Sequence, residues 1–576
     1  MLDALRRKSR RLLDDPVVRR WLIARLLGRV SAPPAFTAGR PPYLADLDDI
    51  LIASVPMAAW PDTRAWSDGA LPSGPLELDL PGETVTLLPD APDALFARTF
   101  ADTETLLAVH RFAWVPLLGG RIDPVWVDVL WRCWLRRHAE PDDSWIWHPY
   151  TAAERAINIL DFARRYGLPG ERDATMAMLA RHIPAIVSRL EYFGEHDTGN
   201  HLSNNGRGLY RLGTDLGISQ AADIGGRILL REAERIFRPS GVLREGSTHY
   251  HLLLTRNYLD AWLAARRHGR PEAPAFEALC RRLLAVAQHF DFAGGMPLVG
   301  DISPDCPPPF LYGLLPSGDL ASGWTGLRAA DEQAALTAIK RDVASHPVPA
   351  LADDGWIDFA HGAWRSLWHV APEGWPPMPG HAHQDMGSGE IHFDCIPLIV
   401  DPGRGAYGET GEAAYYVSSA AHNSMRIDGN DPYPPNKPYY DPSFRRSVCG
   451  VAPQVVRAAD RIMIVHDGFT RLKGIGRASR EIKFDKDSLV IVDRIAGTRT
   501  ATVSRRLHSP WPCEDDNGAV ILKTPVGRFR VHADAKLSCS PVKRWIAYGK
   551  SDPAWMIEAV MRSHLPGELT MGIERL

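Results

Sequence analysis

The sequence predicts a two-part α+β chain: an arc or ring of helical hairpins, then an antiparallel β-sandwich or layered sheet. Three observations predict it. From about residue 100 to 295 the apolar residues recur at helical spacing, with short breaks rich in Gly, Pro and Asp. Near residue 350 the texture changes to short β-rich runs bounded by Asp-Gly, Asn-Gly and other Gly-containing turns. At 576 residues the chain exceeds one ordinary core, so two domains or one large ring with an appendage are expected. The boundaries read as 1–40, a basic helical segment; 41–350, the helical domain; and 351–576, the β domain.

Met1 to Val30 alternates basic residues with Leu, Val, Trp and Ile. It lacks an uninterrupted apolar core and a small-residue cleavage site, so it does not read as a standard secretory signal. Such a segment forms an amphipathic helix that lies on a membrane surface or, more commonly, packs on its own domain. No run of about 18 apolar residues exists to span a bilayer.

Asp123-Pro124 is a helix start, a capping acid followed by a proline that needs no donor. Behind it Trp126, Val129, Leu130, Cys133 and Trp134 share a face, and Phe276, Leu279, Cys280, Leu283, Ala287 and Phe290 repeat the pattern. Helical stretches are also expected around 152–165, 174–193, 222–237 and 252–268. They are broken at Gly167 to Gly170, Gly194 and Pro239 to Gly241. Helices joined so tightly stack as hairpins, and without a fixed period a regular solenoid is disfavoured. Pro304 to Pro309 and His346 to Pro349 read as joints. Strands follow over Ile391 to Val400, Arg461 to Val465, Ser479 to Asp493, Ala519 to Lys523 and Arg528 to His532.

A net charge of −3 gives no global case for nucleic acid or an anionic membrane as partner. Seven scattered cysteines without a CxxC are no disulfide framework or thiolate metal site, and read as reduced, buried small hydrophobes. Most of the eighteen tryptophans are expected in the core.

The chemistry concentrates in His381-Ala382-His383-Gln384-Asp385, Asp401-Pro402-Gly403 and Ala421-His422-Asn423. Residues two apart on an extended chain share a face. Neutral imidazoles and an ionised carboxylate are the ligands that Zn²⁺ takes. A lone HxH is more often a pair of satisfied polar histidines; the Asp-Pro-Gly and Ala-His-Asn contexts favour the metal. Upstream, Asn200-His201 and Tyr250-His251 offer groups able to move protons. Taken singly, Asn200 reads rather as a helix cap beside a surface His201, and Tyr250 rather as a core tyrosine.

Together Asn200-His201, Asn205 to Gly213, Glu245-Gly246-Ser247 with Tyr250-His251, His381-x-His383-x-Asp385, Asp401-Pro402-Gly403 and His422-Asn423-Ser424 resemble the heparinase II/III family of polysaccharide lyases. This family includes oligoalginate lyases. The motifs keep the family's order over roughly residues 100 to 510. The resemblance implies an incomplete (α/α) toroid followed by an antiparallel β-sandwich. It implies β-elimination on a 4-linked uronic acid of an acidic polysaccharide. Asn200 and His381 would clamp the sugar carboxylate, His201 or Tyr250 would take the C5 proton, and Tyr250 would protonate the departing O4. His383, Asp401 and His422 match positions that hold a structural Zn²⁺.

Arg207 and Arg244 are candidates to bind substrate and to lower the Tyr250 pKa, and Trp145 or Trp147 to line subsites. Two features depart from the family: secreted relatives begin with a signal peptide, and some carry a carboxylate where Asn204 and Asn205 stand. The family suggests the cell envelope or periplasm, and the missing signal suggests the cytoplasm. The rival readings are a zinc-dependent hydrolase built on His383, Asp401 and His422, and a non-catalytic or biosynthesis-associated polysaccharide-binding protein.

Overall fold

The computed structural model describes residues 15–30, 38–46, 69–376 and 380–576. Its longer helices before residue 350 are α1 (Pro16–Leu26), α2 (Thr103–His110), α3 (Pro124–His138), α4 (Pro149–Tyr166) and α5 (Arg172–Val187). They continue with α6 (His201–Leu216), α7 (Ser219–Ile236), α8 (Thr248–Arg267), α9 (Ala273–Ala287) and α10 (Ala330–Ala344). The Asp123 carboxylate accepts from Val125 N at 2.9 Å, as the Asp-Pro start predicts. From that start α3 buries Trp126, Leu130, Cys133 and Trp134. Helix α4 packs on α5 and α6, α6 on α7 and α8, α8 on α9, and α9 on α10. The hairpins therefore follow one another as an incomplete (α/α) toroid.

Helix α6 was not expected, and its composition explains why. Gly206, Gly208 and Gly213 weaken an isolated helix. In the fold they let α6 touch its neighbours: a Cβ on Gly213 would lie 2.1 Å from Ala222 N of α7. Close packing replaces propensity here.

A hairpin of β1 (Leu76–Leu80) and β2 (Glu83–Leu87) precedes the toroid. Beyond α10, β3 (Trp356–His361), β4 (Trp364–His369), β5 (Ser388–Phe393) and β6 (Ile396–Ile399) form one sheet in that order. The strands β7 (Met425–Ile427), β12 (Thr500–Ser509), β16 (Lys536–Ala547) and β17 (Lys550–His564) form a second, ordered β16-β17-β12-β7. A third contains β8 (Gln454–Arg457), β9 (Arg461–His466), β10 (Ile475–Phe484), β11 (Ser488–Gly497), β13 (Cys513–Asp516), β14 (Ala519–Thr524), β15 (Gly527–Ala533) and β18 (Gly567–Arg575). Its order is β13-β14-β15-β18-β11-β10-β9-β8. All pairings are antiparallel, and Ile464, Ile482, Ile491, Val503, Leu507 and Ile557 meet in one core between the layers.

The expected run Ile391 to Val400 is two strands turned at Asp394, whose φ is 51°. Ser479 to Asp493 likewise splits into β10 and β11. The cysteine reading needs correction too: Cys513 and Cys539 are disulfide-bonded, and Cys395 is exposed. Their strands β13 and β16 belong to different sheets that touch, a proximity that spacing does not reveal.

Helix α1 packs on the β half through Val17 and Trp21, with Trp21 4.9 Å from Tyr439 between ring centroids. The expectation for residues 1–14 lies outside the described residues. Among the described residues no helix is long and apolar enough to cross a membrane.

Candidate active site

Four sequence-predicted residues come from three separate segments, and the fold brings three of them into contact. Asn200 ends the turn before α6, but its side chain makes no cap bond. Its Nδ2 instead donates to Glu245 Oε2 at 2.6 Å and lies 3.2 Å from His381 Nε2. Tyr250 sits in the first turn of α8, where Ser247 Oγ accepts its backbone N–H at 3.1 Å. Its ring stacks on His381 with centroids 3.5 Å apart and planes 12° from parallel. Helical half and β half thus share one centre.

His381 is held from both sides. Its N–H donates to Glu245 O at 2.7 Å, and Asp301 N donates to its carbonyl at 2.9 Å. The strands of loop are so close that Gly246, at φ +73°, has no room for a Cβ: one would lie 2.5 Å from Ala382 Cβ. Gly246→Ala is expected to cost about 2 kcal/mol or more, from left-handed strain plus the clash. A denaturant midpoint equal to wild type would show that the loop simply moves aside.

Asp301 is the link that sequence reasoning missed. Its Oδ2 lies 3.1 Å from His381 Nδ1, its Oδ1 lies 2.9 Å from His383 Nε2, and Arg404 donates to it at 3.2 Å. Burial alone raises a carboxyl pKa; here the two imidazoles and the Arg404 guanidinium reverse that and hold Asp301 ionised far below the usual range. Tyr407 was also missed. Its hydroxyl is 2.5 Å from that of Tyr250.

His201 stands apart from this contact cluster, on the first residue of α6, with its side chain about half exposed. Its Nδ1 is 2.7 Å from Glu191 Oε1, and its ring lies 4.6 Å from that of Tyr150. Asn205 fixes Glu191 by accepting from its backbone N–H at 3.0 Å and donating to Oε2 at 2.9 Å. Desolvation on its own lowers the His201 pKa; the charge and hydrogen bond of Glu191 more than reverse it, so the net shift is upward from the ordinary histidine value.

Two expected substrate contacts, Arg207 and Trp147, are corrected. Arg207 is fully buried, its Nε donating to Asp260 at 2.8 Å and its Nη1 to Glu154 at 2.7 Å, so it is a core ion pair of α6. Trp147 is buried against Trp134 and His182, and its indole N–H donates to His138 O. Arg244 neighbours Glu245 but makes no side-chain bond to any cluster residue, and its Nε and Nη2 are buried without a partner. Neither arginine is among the groups that chiefly set the Tyr250 pKa. Burial pushes that phenol well above its ordinary value, Asp301 and Asp305 push it further, and the Tyr407 hydroxyl only partly opposes them.

His383, Asp401 and His422 do converge: one ligand atom from each lies within 4.8 Å of the others, and all three are buried. His383 Nε2 faces Asp301 and His422 Nε2 faces the Tyr416 carbonyl at 2.9 Å, which leaves both Nδ1 atoms for the centre. His383 Nδ1 is buried without a partner, and His422 Nδ1 lies 2.8 Å from Asp401 Oδ2. Burial lowers the His422 pKa, and the charge and hydrogen bond of Asp401 reverse that and raise it to about 9. These donors fit Zn²⁺.

Toroid and sandwich meet at a centre of His381, Tyr250 and Asn200. Residues 344–566 match the family described as Heparinase II/III-like, C-terminal. That match covers most of the β half, and the architecture of the chain is similar to that of the solved structures that follow. A heparinase III crystal structure superposes with a TM-score of 0.60 at 14% identity, covering 83% of this chain and 78% of that one. A second heparinase III gives 0.54 at 14% identity, with 83% and 80% covered. The heparan sulfate lyase HepC from Pedobacter heparinus gives 0.50 at 15% identity, with 82% and 77% covered. Among curated proteins none matches the sequence.

Proposed function

We propose that the chain is a polysaccharide lyase that cleaves a 4-linked uronic-acid polymer by β-elimination. The observation that carries this is the stack of Tyr250 on His381 beside Asn200, formed from both halves. Elimination removes the C5 proton, makes the C4–C5 double bond and breaks the C4–O4 bond. The first step loads negative charge onto the sugar carboxylate, so the site must meet that charge with fixed donors. Asn200 and His381 supply them, oriented by Glu245 and Asp301. Tyr250, whose pKa is raised, keeps its proton and gives it to O4. His201, with Glu191 behind it, takes the C5 proton.

Such a reaction uses no water nucleophile. The metal at His383, Asp401 and His422 would cross-link the β-domain loops, and Asp301 would carry that order to His381. Water activation fits poorly, since Asp401 and His422 are fully buried and neither lines the adjoining cavity. Incubation with uronate polymers tests the reading: a conjugated 4,5-unsaturated uronate that absorbs in the ultraviolet is expected. New reducing ends without that absorbance would mean hydrolysis.

The base must be neutral to act, so the rate is expected to rise with pH through the raised His201 pKa. Glu191→Gln removes the raising charge and is expected to move this acidic limb to lower pH. A limb that stays put would exclude the pair from proton transfer. Stability runs the other way: the pair's contribution is present below the unfolded histidine pKa and is lost as pH climbs through the folded one.

A further inference from the structure

We propose that α1 docks the protein on an anionic lipid surface, with Ile23, Leu26 and Leu27 entering the headgroup region and neighbouring arginines meeting lipid phosphates. Helix α1 carries apolar residues on two faces. Val17 and Trp21 are buried against the β half. Ile23 is 58% exposed, Leu26 85% and Leu27 59%. Trp21 and Ile23 are two residues apart, about 200° around a helix, so the packed and open faces lie back to back. Leu26 is the most exposed large apolar side chain among the described residues. Exposed apolar residues scattered singly need no account, whereas three at i, i+3 and i+4 make one stripe.

Charge selects the lipid. Arg19, Arg20, Arg25 and Arg29 are all exposed along this segment, and Arg19 and Arg20 border the stripe one turn earlier. The acid Asp15 is turned into the helix start, where Val17 N donates to it at 2.8 Å. Arg20 reaches the Ser447 carbonyl and hydroxyl at 3.5 Å, and Arg25 lies over the Trp21 ring, 5.4 Å from its centroid. Neither contact neutralises a guanidinium. In sequence, residues 1–30 hold nine Arg or Lys against three Asp, while the whole chain carries −3. The positive charge is local to this segment, the pattern of a helix that lies on an anionic bilayer. Long arginine stems let the cations reach phosphates while the aliphatic side chains sit deeper.

Other occupants meet only half of this surface. An acidic polysaccharide pairs with the arginines and gains nothing from three aliphatic side chains. A second copy docked stripe to stripe sets two groups of arginines against each other. A bilayer satisfies both features at once. Lipid contact leaves the buried face of α1 on the β half undisturbed.

Flotation of the full chain with vesicles tests this, using phosphatidylcholine alone and an equimolar mixture of phosphatidylcholine and phosphatidylglycerol. The mixed vesicles are expected to bind about tenfold more tightly than the neutral ones, with a preference that fades as salt is raised. Leu26→Asp combined with Leu27→Asp is expected to weaken binding to the mixed vesicles about tenfold or more. Both side chains face solvent, so an unchanged thermal melt is expected and shows that the fold is kept. Arg20→Ser combined with Arg29→Ser is expected to remove most of the preference for the anionic lipid. No binding to the mixed vesicles, equal binding to both compositions, or an aspartate variant that binds like the wild type overturns the proposal. So does a wild-type dimer that the aspartate variant splits, or capture of a soluble polyuronate through these arginines while vesicles stay unbound. Vesicle binding is read without turnover, so the lyase reading stands or falls separately in the product assay.

Discussion

Tyr250→Phe is expected to lower kcat by about a thousandfold, the scale of losing a general acid. The argument is geometric first. The phenyl ring keeps its place against His381, 3.5 Å away between centroids, so the fold and the His381 orientation survive. What disappears is the hydroxyl, which in the protein lies 2.5 Å from the Tyr407 hydroxyl. Losing that one bond costs about 1 kcal/mol of stability. Burial and two carboxylates keep the Tyr250 phenol protonated, which suits a donor to O4 and ill suits a base in the free protein. Initial rates of unsaturated uronate formation, alongside a thermal melt, measure both quantities. Full activity with an unchanged melt would remove Tyr250 from the chemistry and leave Tyr407 to be examined as the donor.

The parts of this site that were legible in the sequence are those with local context. Asn200, His201, Tyr250, His381 and the three candidate ligands each lie in a short motif whose residue types suggest their chemistry. Asp301 has no such signal: it follows Gly300 in a loop, and becomes the hub only because the loop passes between His381 and His383. Glu191 is similarly silent until Asn205 and His201 close around it. Burial was the other blind spot. Arg207 looked available because arginines usually are, yet α6 turns it inward onto Asp260 and Glu154. Trp147 looked like a sugar platform and is core. In the fold, the gross change from helix to strand was readable from periodicity, whereas β12, β16 and β17 were not. The alternation on β16 and β17 is broken by charged, half-exposed positions that blur the strand pattern.

For His383→Ala the expected result is loss of bound metal together with roughly 2–4 kcal/mol of stability, from a buried ligand removed and a cavity left. The ring has two duties. Its Nδ1 faces Asp401 and His422, and its Nε2 bonds Asp301, which in turn bonds His381. Without the ring, only two of the three candidate ligands remain, and a proton at His422 satisfies Asp401 where a divalent ion no longer can. Chelation should therefore lower the Tm of the wild type and leave that of His383→Ala unchanged. Asp301 also loses one of its three partners, so His381 is oriented less firmly and kcat should fall about 10- to 100-fold, as it does when a supporting shell is removed. Elemental analysis decides the ligand set before any assay is run: a variant that still carries one equivalent of zinc has its metal elsewhere, and the chain of contacts from metal to His381 would then have no anchor at its far end.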